Sequence, residues 1–144
     1  MESQAVESFN DIEAAIRAAD PAAISRLREA VTSRREQRGE HARWGRLCER
    51  AGETRAALTE YQLALRDDPE DVVALARLAT LYEEHGEADH AIECAERWVG
   101  VAPGDAEAVG RLLELLLATE RLERAREIVA GSPGQALDSP RRDA

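Results

Sequence analysis

Apolar residues recur along this chain as paired helical stripes, and the pairs recur every 34 residues. Trp44, Leu47, Cys48 and Ala51 stand at i, i+3, i+4 and i+7, which is one face of a helix. Gly52 stops that helix, because glycine takes a left-handed C-terminal turn at little steric cost. A second stripe follows in Ala57, Leu58, Tyr61, Ala64 and Leu65, and Asp68-Pro69 ends it. The plan repeats in Leu75, Leu78, Ala79, Leu81 and Tyr82, a stop at Gly86, then Ala91, Ile92, Ala95, Trp98 and Val99. Ala102-Pro103-Gly104-Asp105 closes that unit and supplies an N-cap for the next, which holds Val109, Leu112, Leu113, Leu115 and Leu116. A turn near Glu120 leads to Ala125, Ile128 and Val129. The spacing predicts eight helices near 3–17, 21–36, 40–51, 54–67, 71–85, 88–100, 105–118 and 121–130, and no strands.

The N-terminal stretch reads as a degenerate pair. Ala23, Ile24, Leu27, Ala30 and Val31 match Ala57, Leu58, Tyr61, Ala64 and Leu65 at the same shift. Phe9, Ile12 and Ile16 match Trp44, Leu47 and Ala51 only at a shift of 35, which predicts a turn one residue longer around Asp20-Pro21. Asp20 as N-cap with Pro21 in the first turn is a good helix start. Residues 131–144 mix glycine, proline, serine and charge without periodicity, which predicts a disordered tail.

A period of 34 with these residues resembles the tetratricopeptide repeat family. The middle unit carries Leu78-Ala79, Tyr82, Gly86, Ala91, Trp98 and Pro103; the first carries Trp44-Gly45, Cys48, Gly52, Ala57, Tyr61, Ala64 and Pro69. Small residues at Gly45, Ala57, Ala64, Ala79 and Ala91 let two helix backbones approach closely. Cys48 and Leu116 depart from the family's tyrosine, Ala95 from its aromatic, and the third unit lacks both the glycine stop and the proline. The resemblance implies an all-α fold, an α-solenoid of antiparallel helix pairs. Residues 1–130 form a single repeat domain on this reading: a degenerate pair at 1–37, then repeats at 38–71, 72–105 and 106–130.

Composition narrows the function classes. The chain has 144 residues, 3% aromatic, with nineteen arginines, no lysine and a net charge of −10. That balance disfavours nucleic acid, whose phosphates most of the surface would repel. No apolar run approaches the ~20 residues of a membrane span, and Glu2, Glu7 and Asp11 replace a basic signal start, so a cytoplasmic location without membrane insertion is expected. Cys48 and Cys94 are far apart and read as small buried hydrophobes. His85 and His90 straddle a turn and lack the i, i+4 spacing of a metal-binding helix, so a polar turn is the better reading. No serine elbow or phosphate-cradling glycine loop is present. No enzyme activity, catalytic residue, metal or cofactor is expected.

Charge is unevenly spread. Residues 1–25 sum to −4, residues 26–55 to +4 and the remainder to −10. Arg43, Arg46 and Arg50 share one helix face at i, i+3 and i+7, where they either offset acids such as Glu40 and Glu53 or meet a ligand. The family resemblance implies that first helices line a concave groove. Groove places then fall on Arg43, Arg46, Arg50, Arg77, Thr80, Gly110, Arg111, Leu117 and Ala118. The family's clamp for a C-terminal carboxylate uses asparagine and lysine; Arg46 and Thr80 stand at the asparagine places, so that ligand is not implied. The third unit's first helix is apolar almost all round, so the last helix and tail, a partner or a second copy must cover it. The reading is a non-catalytic adaptor or scaffold for complex assembly, binding an acidic or amphipathic segment of another protein. Its rivals are a self-assembling module that docks through the Leu-rich third repeat as a homo-oligomer, and a regulatory subunit of an enzyme complex.

Overall fold

A computed structural model describes residues 8–33 and 39–131. The expected helix start at residue 3, the run-on past residue 33 and the tail from residue 132 lie outside the described residues. Among the described residues there are eight helices and no strand: α1 (Phe9–Arg17), α2 (Ala23–Ser33), α3 (His41–Arg50), α4 (Thr54–Asp67), α5 (Val72–Glu84), α6 (Ala88–Val101), α7 (Ala106–Ala118) and α8 (Leu122–Gly131). They group into two compact units, one ending at Asp67 and one beginning at Asp68.

Helix ends follow local chemistry. Ser8 caps α1 with its hydroxyl oxygen accepting from the Asp11 backbone N–H at 3.1 Å, while Asp11 accepts from the Ser8 N–H. Asp71 and Asp105, one repeat apart, cap α5 and α7 by accepting from Ala74 and from Glu107 and Ala108. At the other ends, Gly52 and Gly86 take φ of +79° and +77°. The following N–H then reaches back: Glu53 donates to the Cys48 carbonyl and Glu87 to the Tyr82 carbonyl, both at 2.8 Å. Arg121 donates to the Leu116 carbonyl in the same way, although Glu120, with φ +58°, stands where glycine stood before.

In the first unit α1 packs on α2 and α3 on α4. Trp44, Leu47 and Cys48 are buried with Ala57, Tyr61 and Ala64. Gly45 is required there, because a Cβ at that position would lie 2.8 Å from the Tyr61 ring. The α2 stripe falls where the 34-residue shift put it, with Ala23, Leu27 and Ala30 buried.

The register of α1 needs correction. Ile12 and Ala15 are buried, while Phe9 and Ile16 are only half-buried. The closing bond from the Asp20 N–H to the Ala15 carbonyl precedes its Glu53–Cys48 counterpart by 33 residues, so the turn is shorter, not longer. Phe9 is Trp44's neighbour rather than its counterpart: the rings meet edge-on with centroids 5.1 Å apart.

In the second unit each helix packs on the next, α5 on α6, α6 on α7 and α7 on α8. Leu75, Leu78, Ala79 and Leu81 are buried with Ala91, Ile92, Ala95, Trp98 and Val99, and Leu112, Leu115, Leu116, Ala125 and Ile128 continue that core.

Candidate functional site

The nine groove residues divide between the units, Arg43, Arg46 and Arg50 on α3 of the first and the other six on α5 and α7 of the second. All three α3 arginines are exposed. Two of them are engaged by α1. The Arg43 guanidinium sits 3.9 Å from the Phe9 ring centroid, donates weakly to Asn10 and lies 3.8 Å from Glu40. Arg50 donates to Glu13 at 3.0 Å, and Glu13 also meets Arg17 at 3.4 Å. These side chains are about half exposed, so each ion pair is worth no more than about 1 kcal/mol and can exchange partners. Arg46 has no ion-pair partner among the described residues.

In the second unit Arg77 and Thr80 are half-buried, and the Thr80 hydroxyl donates to the Ala76 carbonyl within its own helix. Arg111 bridges from α7 to Glu83 of α5 at 3.1 Å and also approaches Glu114. Gly110 is half-buried, and Ala118 and Leu117 are exposed, Leu117 by 55%. Leu117 opens into an apolar groove of about 550 Å³ between α7 and α8, lined also by Leu113, Leu122, Ala125, Arg126 and Val129. Leu122 and Val129 are 48% and 66% exposed.

A polar cluster that the sequence reading passed over lies inside the first unit. His41 is buried, with Nδ1 2.9 Å from Glu60 and Nε2 3.8 Å from Asp67. The signal was available: His41 precedes Trp44 and Cys48 at helical spacing, and Glu60 and Asp67 fall on the Ala57–Ala64 stripe. A carboxylate on a core stripe requires a buried partner, and His41 supplies one across α3 and α4.

Elsewhere the polar groups are structural. His90 stacks on Tyr82 at 5.1 Å, and His85 Nδ1 lies 2.8 Å from the Leu81 carbonyl. Burial raises the Cys94 thiol to about 11. Arg28 grips Glu53 at 2.6 and 3.1 Å, and its hydrogen bond holds that carboxyl below the usual carboxylate range. Among the described residues no group of three His, Cys, Asp or Glu side chains is placed to hold a metal ion, and no helix is long and apolar enough to cross a membrane.

Stacked helix pairs with a 34-residue period, glycine stops and aspartate starts make this a fold of tetratricopeptide-repeat-like helical repeats. Two crystal structures of MamA, a protein containing such repeats, share it: each matches with a TM-score of 0.64 at 21% identity over 81% of this chain. The match spans 64% of one MamA chain and 68% of the other. No family model matches the chain, and no curated protein matches its sequence. The likeness is one of fold.

Proposed function

We propose that this chain is a non-catalytic protein-interaction module, an adaptor or scaffold in complex assembly, in the cytoplasm. The reading treats residues 1–130 as one repeat domain. Two of its surfaces suit ligands of different chemistry. The arginine face of α3 suits an acidic segment, with Arg46 available and Arg43 and Arg50 able to leave weak surface pairs. The α7–α8 surface suits an apolar one. The observation that carries the reading is a repeat fold that leaves Leu117, Leu122 and Val129 at the surface, since contiguous exposed apolar groups mark interaction sites.

Affinity capture from the source cell, with mass-spectrometric identification, tests it. The wild-type chain should retain a defined partner, and Arg46→Glu/Arg50→Glu should weaken that complex at least tenfold with helix content by circular dichroism unchanged. A partner held equally by the double reversal would remove the α3 face from the reading. The same apolar surface favours a second reading, self-assembly, which a concentration-dependent mass in dilute solution would support and a strict monomer would exclude.

A further inference from the structure

The repeat itself shows what belongs on the α7–α8 groove. One unit earlier, its positions correspond to Ala79, Glu83, Ala88, Ala91, Ile92 and Ala95, and α7 packs on α6 there. Ala95 is fully buried in that pair, whereas its counterpart Val129 is 66% exposed. The two surfaces share a backbone plan; among the described residues a further helix lies on the first and none on the second.

We infer that the α7–α8 groove docks an amphipathic helix of another protein, seated on α8 as α7 is seated on α6, with an aliphatic stripe against Leu113, Leu117, Leu122 and Val129 and a carboxylate toward Arg126. This rests on the interaction-module reading and names the partner's chemistry at one of its surfaces. The side chains explain why the occupant differs from α7. Glu83, which receives Arg111 of α7, is replaced by Leu117, so an incoming arginine finds no acceptor at that place. Ile92 is replaced by Arg126, so an incoming carboxylate finds a donor there. Among the described residues Arg126 pairs only with Glu123, at 3.2 Å, with side chains 75% and 85% exposed, and is readily recruited. Ala79, Ala88 and Ala95 become Leu113, Leu122 and Val129, which hold the incoming backbone further out and favour small or slender side chains along the contact line.

Two occupants from this chain fit less well. Residues 132–144 contain a single large aliphatic residue, Leu137, and no stripe. A second copy of the same groove brings another Arg126 and no carboxylate among its lining residues.

The probe is a lactam-stapled, fluorescein-labelled helix of residues 106–118 carrying Arg111→Leu, which keeps Glu107 and Glu114 as carboxylates. Anisotropy titration with the full chain should show saturable binding. Val129→Asp and Leu117→Asp should each weaken it at least tenfold, Arg126→Glu about threefold or more, and the stapled peptide retaining Arg111 should bind more weakly than the probe. Both apolar positions are exposed, so helix content should be unchanged, and Arg126→Glu reads out the site without altering an apolar side chain. No saturation up to millimolar chain, or affinity indifferent to these variants, overturns the inference. So does a dimer in the free chain that the peptide cannot displace. Arg46→Glu/Arg50→Glu should leave peptide affinity unchanged, so a chain that fails here yet holds a captured partner through α3 loses only the docked helix, not the interaction module.

Discussion

The α5–α6 and α7–α8 pairs are built on one 34-residue plan, yet among the described residues the first is closed on its far side and the second open. Leu78 and Leu112 are both buried, as are Ala91 and Ala125. The difference begins where the pair meets the next helix, at Ala95 against Val129 and at Ala88 against Leu122, and there larger apolar side chains accompany greater exposure. In an uncovered array end, selection for solubility would place polar residues at such positions. Apolar residues retained there accord with the docked helix proposed above.

The largest test of that difference compares overpacking on the two sides. Ala91→Leu and Ala95→Leu should each cost about 1–3 kcal/mol in urea or thermal unfolding, because neither site has room for added methylenes. Val129→Leu should change stability by no more than about 0.5 kcal/mol. A loss at Val129 as large as at Ala95 would show that α8 is already covered in the isolated chain.

A smaller effect lies at the turns. Glu120 holds the left-handed conformation that Gly86 holds one unit earlier. Since that conformation costs a residue with a Cβ roughly 1–2 kcal/mol, and glycine is more entropically costly to order, Glu120→Gly should stabilise by about 0.5–1 kcal/mol. Gly86→Ala should destabilise by about 1 kcal/mol. Equal melting points for Glu120→Gly and wild type would break the equivalence of the two turns.

The last effect is a pH dependence at Cys94 of α6, absent at neutral pH. Cys94 is raised to about 11 in the fold, while a thiol in the unfolded chain ionises near 8.5. Between those values the unfolded state has lost the proton that the folded state keeps, so stability falls as pH rises from about 9 to about 11. Its counterpart in α8 is Ile128, which does not titrate. Cys94→Ala should therefore flatten the alkaline decline relative to wild type, and an unchanged slope would show that Cys94 is not held in a dry core.

Most of this architecture was legible because its signals are redundant. Period, glycine stops and aspartate starts agree at α3 to α7, where an error in one would contradict the others. α1 had only three large apolar residues and no glycine, and one of the three, Phe9, packs against Trp44 rather than filling its place in the repeat. The His41–Glu60 pair was legible as a polar intrusion on two core stripes but invisible to a search for catalytic spacing. The candidate groove residues lie on α3, α5 and α7, the helices to which periodicity assigned them. Periodicity locates a side chain on a face, yet it does not reveal that Glu13 and Phe9 already engage Arg50 and Arg43, because those partners sit more than 30 residues away.

One feature of the packing also sets the clock of assembly. The helix pairs that pack most extensively are neighbours in the chain, α1 with α2, α3 with α4, and α5 through α8 in order. Closing a loop a few residues long forfeits little chain entropy, and every hairpin is rewarded as soon as it forms. Chains wired this locally belong to the fast end of the folding spectrum, on the order of microseconds to milliseconds, and nucleation can begin at any hairpin. On a ribosome emitting about 5–20 residues per second, each pair would be settled before its successor was synthesised.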